Sequence, residues 1–489
     1  MARPYSEPAT LKHTRKNPSI FKSHFYLFTL SILIVFFFFM SQLWPQILTT
    51  TTTTPESFFL HSHHNSSCTN TSIATMLQES ITFLPLKDLR YSNNPLHGHT
   101  WFMSSLFDTR ENGHVQFQEF PSKASKGRIL CLNGSDTHDG SRNSYALAWP
   151  QFLPPNSTLL NGLTFISYNH YNYHNIWHAL SAAVPFVAWH LHHRCRNPNS
   201  PARWILYHWG ELRTSMAPWL TSLMEATFET PVKIETFDAS INGGFNFPAC
   251  FERAVVMRHN EGGMSRERRM QVYDFLRCKA RVFCNVQIIG KPIEVNDHGI
   301  PVIRVTMLMR TGPRSFRNDS AVIGIFEDAC RKVAGCRLRV AHANNLSFCQ
   351  QVELMSSTDV VVSPHGAQLT NIFLMDRNSS VMEFFPKGWL RLAGIGQYVY
   401  HWIASWSGMN HRGAWRDPGG GDDSDVCNLP ENDRRCMTVY KNAKIGHNRS
   451  YFLKWAGDVL NDVSIGKAAN IGFGNGISEG NKISSCDCN

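Results

Sequence analysis

Ser363, His365 and Gly366 stand within four residues of one another in the run D-V-V-V-S-P-H-G-A-Q-L over 359–369. They bring a hydroxyl, an imidazole and an unobstructed backbone amide to one turn, and a helix opening at Ala367 would add unpaired N–H groups. That combination is a natural seat for a diphosphate. Upstream, the run M-L-M-R-T-G-P-R-S-F-R-N over 307–318 places Arg310, Arg314 and Arg317 just past an apolar stretch. Guanidinium forks grip phosphate oxygens through charged, partly bidentate hydrogen bonds, and a solvated basic turn is the competing reading. Glu383 is a lone carboxylate in the apolar run Val381–Phe385. Buried there it needs partners, either the two hydroxyls of a ribose or a salt bridge. For proton abstraction His178 is the first choice and Glu211, in H-W-G-E-L, the second; a structural role for His178 in shaping a cleft stays equally open.

These residues need an α/β frame. Apolar runs at 163–168, 203–207 and 251–256 read as strands, and Asn175–His192, Ser215–Phe228 and Met264–Cys278 read as helices between and after them. A second series follows, with strands at Val302–Met309, Leu338–Ala341, Val360–Val362 and Val381–Phe385, and helices at Ala321–Val333, Ser347–Ser356 and Ala367–Met375. Further helices are expected at Gly388–Tyr400 and Tyr451–Val463. Alternation of this kind makes two doubly wound, Rossmann-like lobes, 96–300 and 301–445, then a late helix at 446–464 and a flexible tail at 465–489. Tyr400–Trp415 is rich in aromatic and polar groups and suits either a sugar-stacking groove or core packing.

Phe25–Trp44 is a 20-residue uncharged apolar run behind a tail, 1–24, with five basic residues and one acidic. About 20 residues of helix cross a bilayer, and the basic flank stays cytosolic, so a signal-anchor with a lumenal catalytic part is expected. Residues 45–95, rich in Thr, Ser, Asn and His, read as a stem, and His61, His63 and His64 there as solvated groups rather than metal ligands. Sequons occur at Asn65, Asn70, Asn133, Asn156, Asn318, Asn345, Asn378 and Asn448. Thirteen cysteines suit an oxidising compartment, with Cys330/Cys336/Cys349, Cys427/Cys436 and Cys486/Cys488 as local groups. His190, His192 and His193 read as helix-end surface residues, and Asp423-Ser-Asp425 as loop rather than metal site. Net charge is +10, and four of those charges lie in the short tail. The remainder is mildly basic, which suits an anionic small substrate and gives no reason to expect nucleic acid.

Taken in order, Asn175-x-x-His178, Arg310 with Arg314 and Asn318, Pro364–Ala367, Leu369–Asn371, Glu383 and Pro386 resemble the motifs of family 61 glycosyltransferases, over about residues 165–405. That family includes plant β-1,2-xylosyltransferases, xylan arabinosyl- and xylosyltransferases and animal O-GlcNAc-type transferases. The resemblance implies a GT-B fold, an acceptor lobe at 96–300, a donor-binding lobe at 301–445, and inversion at the anomeric carbon. It also implies a Golgi or ER type II membrane enzyme with UDP-sugar as co-substrate, the Golgi being preferred. No tightly bound cofactor and no metal site are expected, because Arg310 and the helix beginning at Gly366 can supply positive potential to a departing diphosphate. Arg310, Arg314, Asn318, Ser363, His365, Gly366, Ala367 and Glu383 would then bind the donor. The acceptor would be a glycan, cell-wall polysaccharide or glycoprotein, the transferred sugar a pentose such as xylose or arabinose; oligomeric state is left open. Transfer to protein Ser/Thr and a catalytically silent Golgi scaffold are the alternatives. Gln368 stands where many members carry glycine.

Overall fold

The computed structural model divides the chain into two compact units, Met1–Thr69 and Asn70–Asn489. It describes residues 81–85, Cys486 and 117–473, the last without 124, 139, 169–171, 194, 196–199, 209–210, 236–247, 259–263, 287–292, 390–393, 419–426, 428, 430–432 and 434. The anchor, most of the stem, Asn65, Asn70 and Asp423-Ser-Asp425 lie outside the described residues, but stem residues Leu84 and Pro85 pair with the strand Ser144–Ala148 and so belong to the folded part. Among the described residues, no helix is long and apolar enough to cross a membrane.

Fourteen strands are described: β1 (Leu84–Pro85), β2 (Phe117–Phe120), β3 (Ile129–Asn133), β4 (Ser144–Ala148), β5 (Thr158–Tyr168), β6 (Arg203–His208), β7 (Glu211–Arg213), β8 (Lys233–Ile234), β9 (Ala249–Arg258), β10 (Ile303–Met309), β11 (Cys336–His342), β12 (Val360–Pro364), β13 (Ser380–Phe385) and β14 (Asn410–Arg416). The first nine make one sheet, ordered β1-β4-β3-β9-β5-β6-β7, with β2 also on β9 and β8 also on β6. The last five make a second sheet, β11-β10-β12-β13-β14, parallel throughout.

The second sheet is the doubly wound sheet expected from the sequence. The first is not: only β9, β5, β6 and β8 run parallel, while β1–β4 and β7 are antiparallel additions. Between β3 and β4 no crossover helix intervenes, so they pair antiparallel as sequence neighbours, while β2 and β3 each pair antiparallel with the distant β9.

Helices α1 (Ile176–His192), α2 (Pro218–Phe228) and α3 (Arg266–Phe283) belong to the first half. In the second half lie α4 (Asp319–Arg331), α5 (Phe348–Ser356), α6 (Val399–Trp406), α7 (Cys436–Asn442) and α8 (Arg449–Phe473). Asn175 caps α1 by accepting from the Trp177 amide at 3.1 Å. Beyond its first turns α1 is apolar on all sides and buried from Ala182 to His190. His190 is therefore no surface residue: it packs on Phe228, centroids 4.9 Å apart, inside the core.

Three further expectations change. The run after Gly366 is a 3₁₀ helix, Ala367–Leu374, rather than an α-helix. Of the helix expected at Gly388–Tyr400, Trp389 is helical and 390–393 lie outside the described residues, while Gly394–Tyr398 is a 3₁₀ turn ahead of the α-helix from Val399; Gly394 and Gly396 are poor helix formers. The late helix α8 runs on to Phe473, through residues expected to be flexible. Tertiary contacts hold it, since Phe452, Ala456 and Leu460 bury in the core and Lys467 pairs with Asp359 at 2.7 Å.

Disulfides between described residues include Cys131–Cys250, Cys278–Cys486, Cys284–Cys349, Cys330–Cys336 and Cys427–Cys436. Two local groups thus change, because Cys349 and Cys486 both bond to the far-off helix α3 region.

The two sheets are clamped by α3. Arg277 donates through Nε to the Phe373 carbonyl at 2.7 Å and through Nη2 to that of Ser407 at 2.6 Å. Arg281 donates to the Leu374 carbonyl at 2.9 Å and pairs with Asp376 at 2.7 Å. These bonds satisfy orphan carbonyls at the ends of the 3₁₀ helix and of α6. Replacing Arg277 with Leu strands two buried carbonyls, so it is expected to lower stability by about 2–4 kcal/mol in urea unfolding; a loss under about 0.5 kcal/mol would show that the clamp is not needed.

Candidate active site

The chain leaves β10 for β11 on one side and comes back to β12 on the other. Above the C-terminal ends of β10 and β12 the connections therefore diverge, and open α/β sheets take their ligands in such a crevice. Arg310 directly follows β10 and His365 directly follows β12. Arg310 Nη1 donates to the His365 carbonyl at 3.1 Å, across the gap. Gly366 is extended, with φ 169°, so handedness does not demand glycine there. A β-carbon would meet the ends of the Arg310 and Gln368 side chains, so a larger residue would displace the guanidinium from its present place.

A cavity of about 770 Å³ opens here between the two halves. The second half lines it with Arg310, Arg314, His365, Ala367, Gln368, Asn371, Trp389 and Tyr400. The first half contributes His174, Asn175, His178 and Trp219. Five buried polar atoms on this lining, Arg310 Nε, Arg314 Nε, Trp219 Nε1, Trp389 Nε1 and Asn371 Oδ1, find no hydrogen-bond partner among the described residues. Each such atom costs roughly 1–3 kcal/mol unless something fills its need. Four of the five are donors, so the lining suits a ligand rich in acceptor oxygens. The Arg314 guanidinium lies over the Trp389 ring, 5.2 Å from its centroid.

Burial, and then the neighbouring charge of Arg314, bring Arg310 down to about 10, while the Tyr400 hydroxyl pulls the other way. The group remains cationic at neutral pH, and burial lowers Arg314 likewise. His178 is brought down to about 4 by burial and then by Lys441, which lines the same cavity from α7. Its imidazole is neutral at pH 7, and an anion bound beside it would raise its basicity.

Glu383 is 1% exposed and does not line the cavity. Its Oε1 meets His365 Nδ1 at 2.6 Å and its Oε2 meets His411 Nε2 at 2.9 Å. Both oxygens are taken, so the ribose role expected for Glu383 gives way to support of the His365 ring. Burial pushes this carboxyl up, but the hydrogen bonds and charges of the two histidines outweigh it and hold it below its ordinary value. Phe385 stacks on the His365 ring at 4.6 Å.

Three other expected ligand residues sit elsewhere. Ser363 is buried and donates to the Leu308 carbonyl at 2.8 Å. Asn318 caps α4, accepting from the Ala321 amide at 2.9 Å. Arg317 pairs with buried Asp417 at 3.3 Å. Glu211 pairs with Arg213 at 2.7 Å and does not line the cavity with His178. Of the aromatic stretch 400–415, Tyr400 reaches the cavity while Trp415 belongs to the core. Asn156, Asn345, Asn378 and Asn448 are exposed and Asn133 partly so; Asn345 lies on the cavity rim. Trp219, Trp389 and Lys441 had no part in the sequence expectation. Of these only Trp389 carried a signal, its place just past the end of a strand.

A family model described as Glycosyltransferase 61 matches residues 173–382, which span the lining from α1 to β13. No curated protein matches the chain.

Because the unfolded chain binds the His178 proton near the ordinary 6.5 and the folded one only near 4, the depressed value makes stability fall as pH drops through that window. The His178→Gln variant lacks this loss. Relative to the parent it is expected to gain stability between about pH 7 and about pH 5 in urea titrations; an unchanged difference would remove His178 as a buried neutral group.

Proposed function

We infer, with support from the match of residues 173–382 to the Glycosyltransferase 61 model, that the cleft moves a sugar from a UDP-sugar to a hydroxyl of a glycan or cell-wall polysaccharide. The observation that carries this is the set of unpartnered donors on the cavity lining, two guanidinium N–H and two indole N–H groups beside His365. A nucleoside diphosphate and a sugar present the acceptor oxygens that such a lining lacks. The two α/β halves fit a GT-B reading, with the donor on the second sheet and the acceptor approaching from α1.

The reaction is a single in-line displacement with inversion. The acceptor oxygen bonds to the anomeric carbon as the bond to the UDP β-phosphate oxygen breaks, and the acceptor proton passes to a base. His178, neutral and on the opposite wall, is that base. Arg310, Arg314 and His365 hold the departing diphosphate, so its charge is met by side chains without calling on a metal. A pentose such as xylose or arabinose is the favoured sugar. Transfer to protein Ser/Thr is the second reading within the family. The disulfides among the described residues support an oxidising lumen, in keeping with Golgi anchoring through 25–44.

The decisive experiment is a panel of UDP-sugars against the purified protein with xylan and glycan acceptors. UDP is expected to raise the melting temperature; no stabilisation by UDP or any UDP-sugar would favour a silent scaffold instead. Arg310→Ala is expected to weaken UDP binding roughly 10- to 100-fold in calorimetry, through loss of a buried charge-assisted contact. His178→Ala is expected to lower kcat about 100-fold with UDP affinity little changed, and full activity would remove it as the base. Transfer is expected to survive EDTA, and its loss there would overturn the metal-free reading.

A further inference from the structure

The carboxylate behind His365 serves two masters. Held in its charged form, Glu383 can only accept hydrogen bonds, so His365 Nδ1 and His411 Nε2 both donate to it. The three side chains are 8%, 1% and 8% exposed for His365, Glu383 and His411. A buried carboxylate calls for one compensating positive charge, and two imidazoles compete to carry it. Only one of them, His365, lines the donor cavity.

We propose that His411, on β14 and outside the cavity, is a positioning residue that governs whether His365 presents a second, cleft-facing proton to the donor diphosphate. The proposal rests on the donor-site reading above. Other charged groups press on this cluster from each side. His401, on α6, meets the His411 ring edge-on at 5.1 Å, and its imidazole is lowered by burial and then by His411. Tyr400, from the same helix, packs on His365 at 5.1 Å. Arg310 and Arg314 stand on the cleft side and, with Glu383, act on the Tyr400 hydroxyl. With a cation at His411 the Glu383 charge is already met, and His365 faces the donor neutral. With His411 neutral, the imidazolium sits at His365 and its Nε2–H points to a phosphate oxygen.

The test is UDP affinity by calorimetry from about pH 5 to about pH 9, on the full chain, for the parent, His411→Gln and His411→Phe. Affinity is expected to fall as pH rises and the cleft-facing proton leaves. In His411→Gln a neutral N–H donor remains but cannot compete as a cation, so the fall moves to higher pH. In His411→Phe the carboxylate has His365 alone, and the fall moves further, by about one pH unit. A profile unmoved in both variants, even with weaker binding, assigns His411 a merely structural role and overturns the proposal. Should Phe fail to fold, an unmoved profile in Gln alone overturns it. Absence of UDP binding in the parent at every pH sinks the donor-site reading and takes this proposal with it.

Discussion

Everything in the cleft follows from the reversal of winding at β10. A parallel strand pair needs a long crossover, and the second sheet places β11 on one side of β10 and β12 on the other. The two connections separate above β10 and β12, so that edge of the sheet cannot be covered by its own helices. Polar groups that would be intolerable in a packed layer collect there. The Arg310 bond to the His365 carbonyl spans the gap, and the glycine after His365 keeps the guanidinium in place. The first half of the chain, held by Arg277 and Arg281, closes the crevice from the opposite side.

The electrostatics of the two walls differ in kind. On the second-sheet wall, cations are buried without carboxylates at hand: Arg310 and Arg314 are both lowered by desolvation. On the α1 wall, His178 is kept neutral by burial and by a nearby lysine. One wall is thus prepared for negative charge and the other for a proton. Salt bridges elsewhere, such as Arg317 with Asp417 and Arg213 with Glu211, keep other charges occupied and out of the cleft.

The second sheet was legible in the sequence because its strands are short, continuous apolar runs bounded by turn residues, and its parallel form demands the helices that alternate with them. Arg310, His365 and His178 were found because strand ends and helix starts are readable one after another along the chain. What failed was spatial. Nothing local shows that Ser363 turns inward to a carbonyl, that Asn318 is consumed as a cap, or that the two Glu383 oxygens meet histidines from different elements. The antiparallel strands of 117–148 were missed because they lack the alternation with helices that marked the rest. His190 was misjudged because α1 lies between the first sheet and later helices, so that Phe228 and Phe275 close over the ring.

The bond between Cys278 and Cys486 links residues 208 positions apart. During synthesis, Cys278 must remain a free thiol while the whole second sheet is being made, although its helix could already have formed. Any earlier partner it took would have to be exchanged. In an oxidising compartment the nascent chain thus depends on thiol exchange for its last tether, and that tether can form only after every strand of the second sheet has left the ribosome.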